Sequence, residues 1–193
     1  THDETNMAAD PENTLIWRMS QRHLEAECVR DAMLAASNTL DLTPPVGSPI
    51  AVAGNSVIGS QRRPNSLSEE SLINAAGNKR SVYLPIARDV VPDSLAVFDY
   101  AETNLVTGAR EATNVPSQAL YMLNSPFVLE RARLLVARPE LDAAAGADAR
   151  IARLYRLLYG RAPTPGETAT GLRVLARAEA APEPQSPWQY AWC

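Results

Sequence analysis

The sequence predicts a mostly α-helical domain with an irregular centre and a helical hairpin near its C-terminal end. Apolar residues recur every three to four positions in several segments, which is the pattern of amphipathic helices. The middle of the chain is instead rich in proline and glycine and has no sustained period. Only residues 82–86 alternate in the way of a strand, so at most one short strand pair is expected.

The first helix is predicted over residues 11–38, after a flexible entry at residues 1–9. Asp10 is a good N-cap residue, and Pro11 suits the first helical position. Ser20 offers a second start, so the helix can break there. The periodicity assigns one apolar stripe to the core and puts the charged residues on the other faces. The stripe consists of Leu24, Cys28, Ala32, Ala35 and Ala36, and the charged residues are Arg22, Glu25, Arg30 and Asp31.

Residues 41–79 are predicted to form a long loop or a variable insertion. Prolines and glycines punctuate a stretch rich in serine and asparagine, and loops of this length in compact domains are usually functional or variable. A short helix is expected inside it, over residues 68–76. The segment that follows, RSVYLPIARDVV, reads as extended, and Pro85 restricts it to an edge or irregular strand.

Helices are predicted again in the second half of the chain. A short one covers residues 93–98, and Pro116 opens another that runs to about residue 123. Ser125 and Pro126 restart the helix with a cap residue and a proline at the first position. This amphipathic helix is expected to end at Pro139.

The last predicted unit is an α-hairpin over residues 147–180. Gly160 stands where a left-handed C-terminal cap of its first helix belongs. Thr164 and Glu167 have the spacing of a capping box, with proline between them at the first helical position of the second helix. The hairpin is therefore joined by a turn whose geometry is set by local residues.

The composition bounds the function classes. A chain of 193 residues fits one domain, residues 1–193, and its net charge of −4 gives no general attraction to nucleic acid or anionic membrane. Two cysteines and two histidines, without a paired spacing, predict no metal and no haem site in this chain. No apolar run reaches the length of a membrane span. Because the chain begins at THDETN and stops at WQYAWC, we expect a piece of a longer protein, incomplete at both ends.

Candidate chemistry is concentrated between residues 80 and 124, where polar side chains are set among apolar ones. These residues could line a cleft in which arginines bind an anion and a carboxylate performs acid–base work. The alternative is that they tie down loops by satisfying backbone carbonyls, and this structural interpretation is favoured. The candidate cluster comprises Arg80, Arg88, Asp99, Arg110, Thr113, Gln118 and Asn124.

Other candidates carry weaker signals. Asp89, Asp93 and Asp99 could pair as general acid and base, but such triplets occur in any chain of this length. The arginines of the hairpin could bind phosphate or a sulfated polymer, yet a solvated face or a contact with an acidic neighbouring domain is favoured. Cys28 is interpreted as a small core residue.

Three blocks of the chain resemble one family. They are DPENTLIWRMSQRHLEAECVRDAML, KRSVYLPIARDVVPDSLAVFDYAETNLVTGAREATNVPSQALYMLNSPFVLERA and RIARLYRLLYGRAPTPGE. In this order they are similar to the planctomycete-type exported domain numbered 1553 among the domains of unknown function. The chain departs from that pattern at Tyr100 and Ala101, which stand where the family usually has Pro-Asp.

The resemblance implies a C-terminal part of a large exported protein, periplasmic or on the cell surface. It implies neighbouring domains in the same polypeptide, including a c-type cytochrome-like one, so haem c would be bound elsewhere in that protein. We therefore expect a non-catalytic scaffold or binding module, with a use in polysaccharide handling at the cell surface. The alternative is part of a hydrolytic or redox enzyme whose site is shared with a neighbouring domain. Whether the chain is an enzyme stays open, and a nucleic-acid binder ranks third.

Overall fold

The computed structural model describes residues 3–20, 22–47, 77–86, 91–101, 103, 106, 108–143 and 146–179. Within these ranges the fold is mostly helical, as the sequence predicts. The helices are α1 (Glu4–Ala9), α2 (Ala26–Ala36), α3 (Asp93–Ala96), α4 (Pro116–Asn124), α5 (Pro126–Val136), α6 (Pro139–Asp142), α7 (Ala147–Tyr159) and α8 (Pro165–Glu179), with one 3-10 turn at Ser81–Tyr83. None of these helices is long and apolar enough to cross a membrane.

The N-terminal segment differs from the prediction. The expected flexible entry contains α1, whose first turn is capped by the Asp3 side chain. Within the described residues, the helix predicted over residues 11–38 exists only as α2, because residues 10–20 and 22–25 are not helical. Asp10 does not cap a helix from this point, since its carboxylate accepts the backbone N–H groups of Thr14 and Leu15. Such side-chain-to-backbone bonds offer the chain an alternative to helix formation.

α2 is the central helix, and its buried face is not the predicted one. It contacts α3, α5 and the 3-10 turn. The buried residues of α2 are Ala26, Arg30, Met33 and Leu34, whereas Cys28, expected in the core, is exposed. The predicted stripe missed the core because a buried arginine occupies the centre of the inward face.

The long middle segment begins and ends at one point of the fold. Asp41 and Lys79 form a parallel β-bridge, and Lys79 Nζ lies 2.7 Å from Asp41 Oδ2. The hydrogen bond from Lys79 holds the pKa of the Asp41 carboxyl well below its usual range. The predicted helix at residues 68–76 lies outside the described residues. The strand-like reading of residues 80–91 is wrong where it can be compared, because Ser81–Tyr83 is a 3-10 turn.

The second half of the chain follows the predicted helix starts closely. Pro116 and Pro126 open α4 and α5 at the first helical position. Pro139 is placed differently from the prediction, since α5 already ends at Val136 and this proline opens α6.

Among the described residues, two apolar clusters hold the elements together. The first cluster consists of Ala26, Leu84 and Leu95. It joins α2 to the residues that follow the long middle segment. The second joins α5, α6 and α7 through Leu135, Leu141 and Leu154.

The predicted C-terminal hairpin is formed by α7 and α8. Gly160 ends α7 in the left-handed region at φ 67° and donates its N–H to Arg156. The capping box is present with both of its bonds. Glu167 N–H donates to Thr164 Oγ1 at 3.3 Å, and Thr164 N–H donates to Glu167 Oε2 at 2.7 Å.

Candidate functional site

The structure brings three of the predicted site residues together. Asp99 accepts both the backbone N–H and the hydroxyl of Thr113, at 2.6 and 2.9 Å. Gln118 then donates to the carbonyl oxygen of Thr113 at 3.3 Å. Asp99 has a backbone φ of 58°, in the left-handed region that aspartate tolerates better than most residues. This trio fixes the loop that leads into α4.

Arg110 pairs with a carboxylate from another part of the fold. Its two terminal nitrogens bind the two oxygens of Glu27 on α2, at 2.6 and 2.8 Å. The guanidinium also lies 5.3 Å from the ring centre of Tyr100. Its hydrogen bond lowers the pKa of the Glu27 carboxyl. Arg110 is therefore a tie, but to a carboxylate rather than to the loop carbonyls that the sequence interpretation assigned to it.

The remaining predicted residues are dispersed. Arg80 is largely exposed and approaches Asp31 at 3.7 Å. Asn124 donates to Leu120 within its own helix. Arg88 lies outside the described residues, as does Asp89 of the weaker carboxylate triplet. Apart from the group formed by Asp99, Thr113 and Gln118, the described members of the candidate cluster serve separate contacts, and the cleft lined by arginines is not formed among them.

The residue that ties the irregular segment is Arg30, which sequence reasoning placed on a polar face. Its side chain is buried, and the residue is only 2% exposed. It donates to the carbonyl oxygens of Lys79 and Gly77, at 3.0 and 2.9 Å, and to Ser81 Oγ at 3.2 Å. Burial lowers the pKa of the guanidinium from its ordinary value. A guanidinium has five donors in a fixed fork, which suits this set of acceptors.

Two further arginines bind α2 and the residues directly after it to the rest of the domain. Arg138 donates to the carbonyl oxygen of Ala36 at 2.8 Å, near the C-terminal end of α2. Arg131 on α5 donates to Thr39 Oγ1 at 2.9 Å. Beside Arg30, Asp31 accepts the backbone N–H of Ser81 at 2.7 Å. An adjacent Arg-Asp pair on a helix that packs against an irregular segment is the sequence signal that could have indicated this network.

A second site-like feature is the loop at residues 10–20. Asp10 binds Thr14 and Leu15, and the side-chain amide of Asn13 donates to the carbonyl oxygen of Arg18 at 2.8 Å. Trp17 donates its indole N–H to the carbonyl oxygen of Asp10 at 2.8 Å. The loop is thus held by its own hydrogen bonds.

This well-bonded loop presents apolar side chains to solvent. The residues concerned are Leu15 at 81%, Ile16 at 81% and Met19 at 85% exposed. Single exposed apolar residues are normal on a protein surface, and larger exposed apolar patches are typical of interaction sites. These three side chains lie within five positions of one loop.

A third feature is an apolar groove between α2 and the α7–α8 hairpin, with a volume of about 740 Å³. Leu24, Ala32, Ala35 and Ala36 of the predicted stripe line it on one side. Ile151, Leu154, Leu158 and Val174 line the opposite side.

One edge of the groove carries a paired charge. Arg161 binds Glu167 through two hydrogen bonds of 2.7 and 2.8 Å and lies near the rings of Tyr155 and Tyr159. The hydrogen bond from Arg161 is the main reason that the pKa of Glu167 falls to about 2. Tyr155, Tyr159 and Glu167 all line the groove, so its polar edge is built on the hairpin.

A family model described as PSD1, protein of unknown function (DUF1553), matches residues 1–175. The chain belongs to the PSD1 family. No curated protein and no solved structure matches it. The match confirms the resemblance seen in the sequence, and the family's description assigns no activity.

In the described part of this PSD1 domain, the polar side chains discussed above hold segments of the fold together rather than forming a reactive site. It contains no cluster of three or more His, Cys, Asp or Glu residues that could hold a metal ion. The carboxyl groups whose pKa clearly moves all move downward, and in each case hydrogen bonds to the charged form are the main cause. These carboxylates are suited to hold positive partners or backbone N–H groups rather than to donate protons near neutral pH.

Proposed function

We propose that this PSD1 domain is a non-catalytic scaffold that binds a neighbouring domain of the same polypeptide through the loop at residues 10–20. One observation carries the proposal: a loop held by its own hydrogen bonds exposes Leu15, Ile16 and Met19. A loop that is already ordered loses little conformational entropy when it binds, so its apolar side chains contribute to affinity efficiently.

The backbone of Ile16 supports this role for the loop. Ile16 has a φ of 56°, where the left-handed region costs an ordinary L-residue about 1–2 kcal/mol. A β-branched residue is especially unfavourable there. Because its side chain is exposed, packing within the described chain does not compensate for that cost. Apolar contact with a partner would do so, and strained residues are often found at functional sites.

The polar residues of the central region support a scaffold in a second way. Arg30, Arg110 and Asp99 are each engaged by groups of the same domain. A catalytic constellation would need at least one nucleophile or general base aimed at a shared cleft. The described candidates instead serve three separate contacts.

The wider setting of the proposal comes from the family resemblance. The parent protein would be exported and associated with a c-type cytochrome domain, with haem c bound by that other domain. The assembled protein would handle polysaccharide at the cell surface, and this domain would position its neighbours. The enzymatic alternative, with a site shared between this domain and a neighbour, differs in requiring catalytic groups from this chain.

The loop can be tested with Ile16→Gly. Glycine adopts a positive φ without strain, so the isolated domain should be as stable as the wild type or slightly more stable. Affinity for the rest of the parent polypeptide, produced separately and measured by calorimetric titration, should fall at least about tenfold, which is about 1.4 kcal/mol. Val106→Gly, at an exposed β-branched residue of another irregular segment, is the control and should leave affinity unchanged.

Equal affinity for wild type and Ile16→Gly would overturn the docking role of the loop. Activity is tested separately, by assaying the complex for hydrolysis of sulfated and neutral polysaccharides. Loss of hydrolysis in Asp99→Asn, with binding of the two parts intact, would favour the enzymatic alternative over the scaffold.

A further inference from the structure

We infer that the apolar groove between α2 and the α7–α8 hairpin is the docking surface for the chain's own C-terminal aromatic segment, residues 187–193 (PWQYAWC). This segment lies outside the described residues, so the inference rests on the groove, on chain length and on residue chemistry. It concerns a different surface from the loop at residues 10–20 and does not depend on the proposed function.

The groove has the character of a core surface. One wall is the stripe with regular apolar spacing, which includes Leu24 just before α2 and Ala32 and Ala35 on α2. A sequence maintains such a stripe where the face is covered, because exposed apolar surface costs about 25 cal/mol per Å². In the described fold the stripe faces the groove instead of the core formed by Ala26 and Leu34. A covering segment would give the stripe the role that its periodicity predicts.

The hairpin wall is closely packed and can serve as a fixed platform. A Cβ added to Gly171 would lie 2.9 Å from Ile151 Cδ1, so α7 and α8 approach each other closely at this position. Both residues line the groove. The volume of about 740 Å³ is thus bounded on this side by a pair of helices rather than by a loop.

The connection from α8 is long enough for the segment to return to the groove. Val174 lines the groove and lies five positions before Glu179, where α8 ends, which is about 7.5 Å along the helix. Eight residues, 180–187, separate Glu179 from Trp188. Eight residues can span up to about 26–29 Å. The linker APEPQSP contains three prolines, which lower its entropy of ordering.

The aromatic residues fit the chemistry of the groove. Trp188, Tyr190 and Trp192 bring large apolar rings, each of which can bury about 150–250 Å². Their polar atoms need partners at an edge, and Glu167 and Thr170 line the groove on α8. Attachment to α8 also gives the segment a local concentration of the order of millimolar, which a separate partner would have to exceed.

The test uses the full 193-residue chain and its tryptophan fluorescence. Ala35→Arg introduces a long charged side chain into the groove wall, and Ala169→Arg, at an exposed position of α8 away from the lining, is its matched control. Acrylamide quenching should increase at least about twofold in Ala35→Arg, because the indoles move from a packed site into water. It should stay at the wild-type level in Ala169→Arg.

The contribution of Trp17 is separated with a Trp188→Phe/Trp192→Phe chain, in which quenching should not respond to Ala35→Arg. A second measurement leaves the groove residues untouched. Binding of the apolar dye anilinonaphthalene sulfonate should rise severalfold when residues 182–193 are removed, and adding Ala35→Arg should abolish the rise.

Three results would overturn the inference. Wild-type quenching that already equals that of the unfolded chain would place the aromatic segment in water. Unchanged dye binding after removal of residues 182–193 would mean that the segment does not cover the groove. Protection that disappears on dilution together with a dimer-to-monomer change in mass would assign the groove to a second copy of the chain.

Discussion

Two helical regions of the domain are held by different kinds of contact. The central region consists of α2 and the segments bound to it, and the C-terminal hairpin consists of α7 and α8. In the central region Arg30 binds acceptors 47 to 51 residues away, and Arg138 reaches a carbonyl 102 residues away. In the hairpin Glu167 binds Thr164 and Arg161, three and six residues away. The hairpin is thus organised by neighbours in sequence, whereas the central region depends on polar contacts that form only when distant segments meet.

This difference predicts how much stability a substitution removes in each region. A local contact satisfies groups that water would otherwise reach, so its loss costs little. A long-range contact in a buried place leaves groups without water when it is lost, and the cost is that of burying unpaired polar atoms. The following predictions test that contrast, from the largest expected effect to the smallest.

Arg30→Ala should destabilise the domain the most, by about 3–5 kcal/mol, as expected when one member of a buried charged network is removed. The carbonyl oxygens of Gly77 and Lys79 and the hydroxyl of Ser81 would lose their donor. Urea denaturation followed by circular dichroism measures the effect. Arg80→Ala is the control, and it should stay within about 0.5 kcal/mol because this side chain is largely exposed. Equal effects of the two substitutions would contradict the central role of Arg30.

Asp99→Ala should cost about 2–3 kcal/mol, because it removes charge-assisted hydrogen bonds to Thr113 and leaves alanine at a positive φ. Asp99→Gly removes the same bonds but tolerates the backbone, so it should cost about 1 kcal/mol less. Thermal unfolding of the two variants side by side measures the difference. If glycine is as damaging as alanine, the backbone conformation contributes nothing at this position.

Thr164→Ala should cost about 1 kcal/mol, the usual effect of losing an N-cap side chain. Glu167 N–H would lose its 3.3 Å bond to the threonine hydroxyl. Thr5→Ala, at an exposed position inside α1, is the control and should be neutral or slightly stabilising, since alanine favours helix. Calorimetric melts that do not separate these two variants would mean that the capping box does not stabilise the hairpin.

The smallest expected effect is the loss of the stabilising contribution of Glu167 at low pH. The pKa of Glu167 is about 2 in the folded chain, against an ordinary value of 4.5. A carboxyl group with a lowered pKa stabilises the fold fully above its ordinary pKa, and this contribution is lost as pH falls from about 4.5 towards 2. Carboxyl carbon shifts followed by nuclear magnetic resonance should therefore place the midpoint of Glu167 near 2. In Arg161→Gln the midpoint should move up towards 4.5, and a midpoint already at 4.5 in the wild type would exclude the pairing.

The hairpin could be predicted from sequence because its determinants are neighbours. Gly160, Thr164 and Glu167 carry their signal within eight positions, and the structure places each in the predicted role. Pro116 and Pro126 likewise mark helix starts by themselves.

The central region could not be predicted in the same way. The periodicity of α2 predicted the wrong buried face, because Ala32, Ala35 and Ala36 line the groove, Cys28 is exposed and Arg30 lies in the core. A buried arginine is recognisable only together with its acceptors, and these are contributed by residues 77–81. The prediction of a helix starting at residue 11 was wrong for a related reason. The side chains of Asp10 and Asn13 form hydrogen bonds that stabilise a loop instead.

The bridge between Asp41 and Lys79 has a consequence for engineering. Because these two residues hold the chain together at the entrance and the exit of the intervening segment, the helices on either side do not depend on its length for their positions. The entropy of closing a loop grows slowly with the number of residues between two joined points, by about 0.6 kcal/mol for each doubling. A fluorescent protein or an affinity module could therefore be inserted between Asp41 and Lys79. The two attachment points are already adjacent in the host domain.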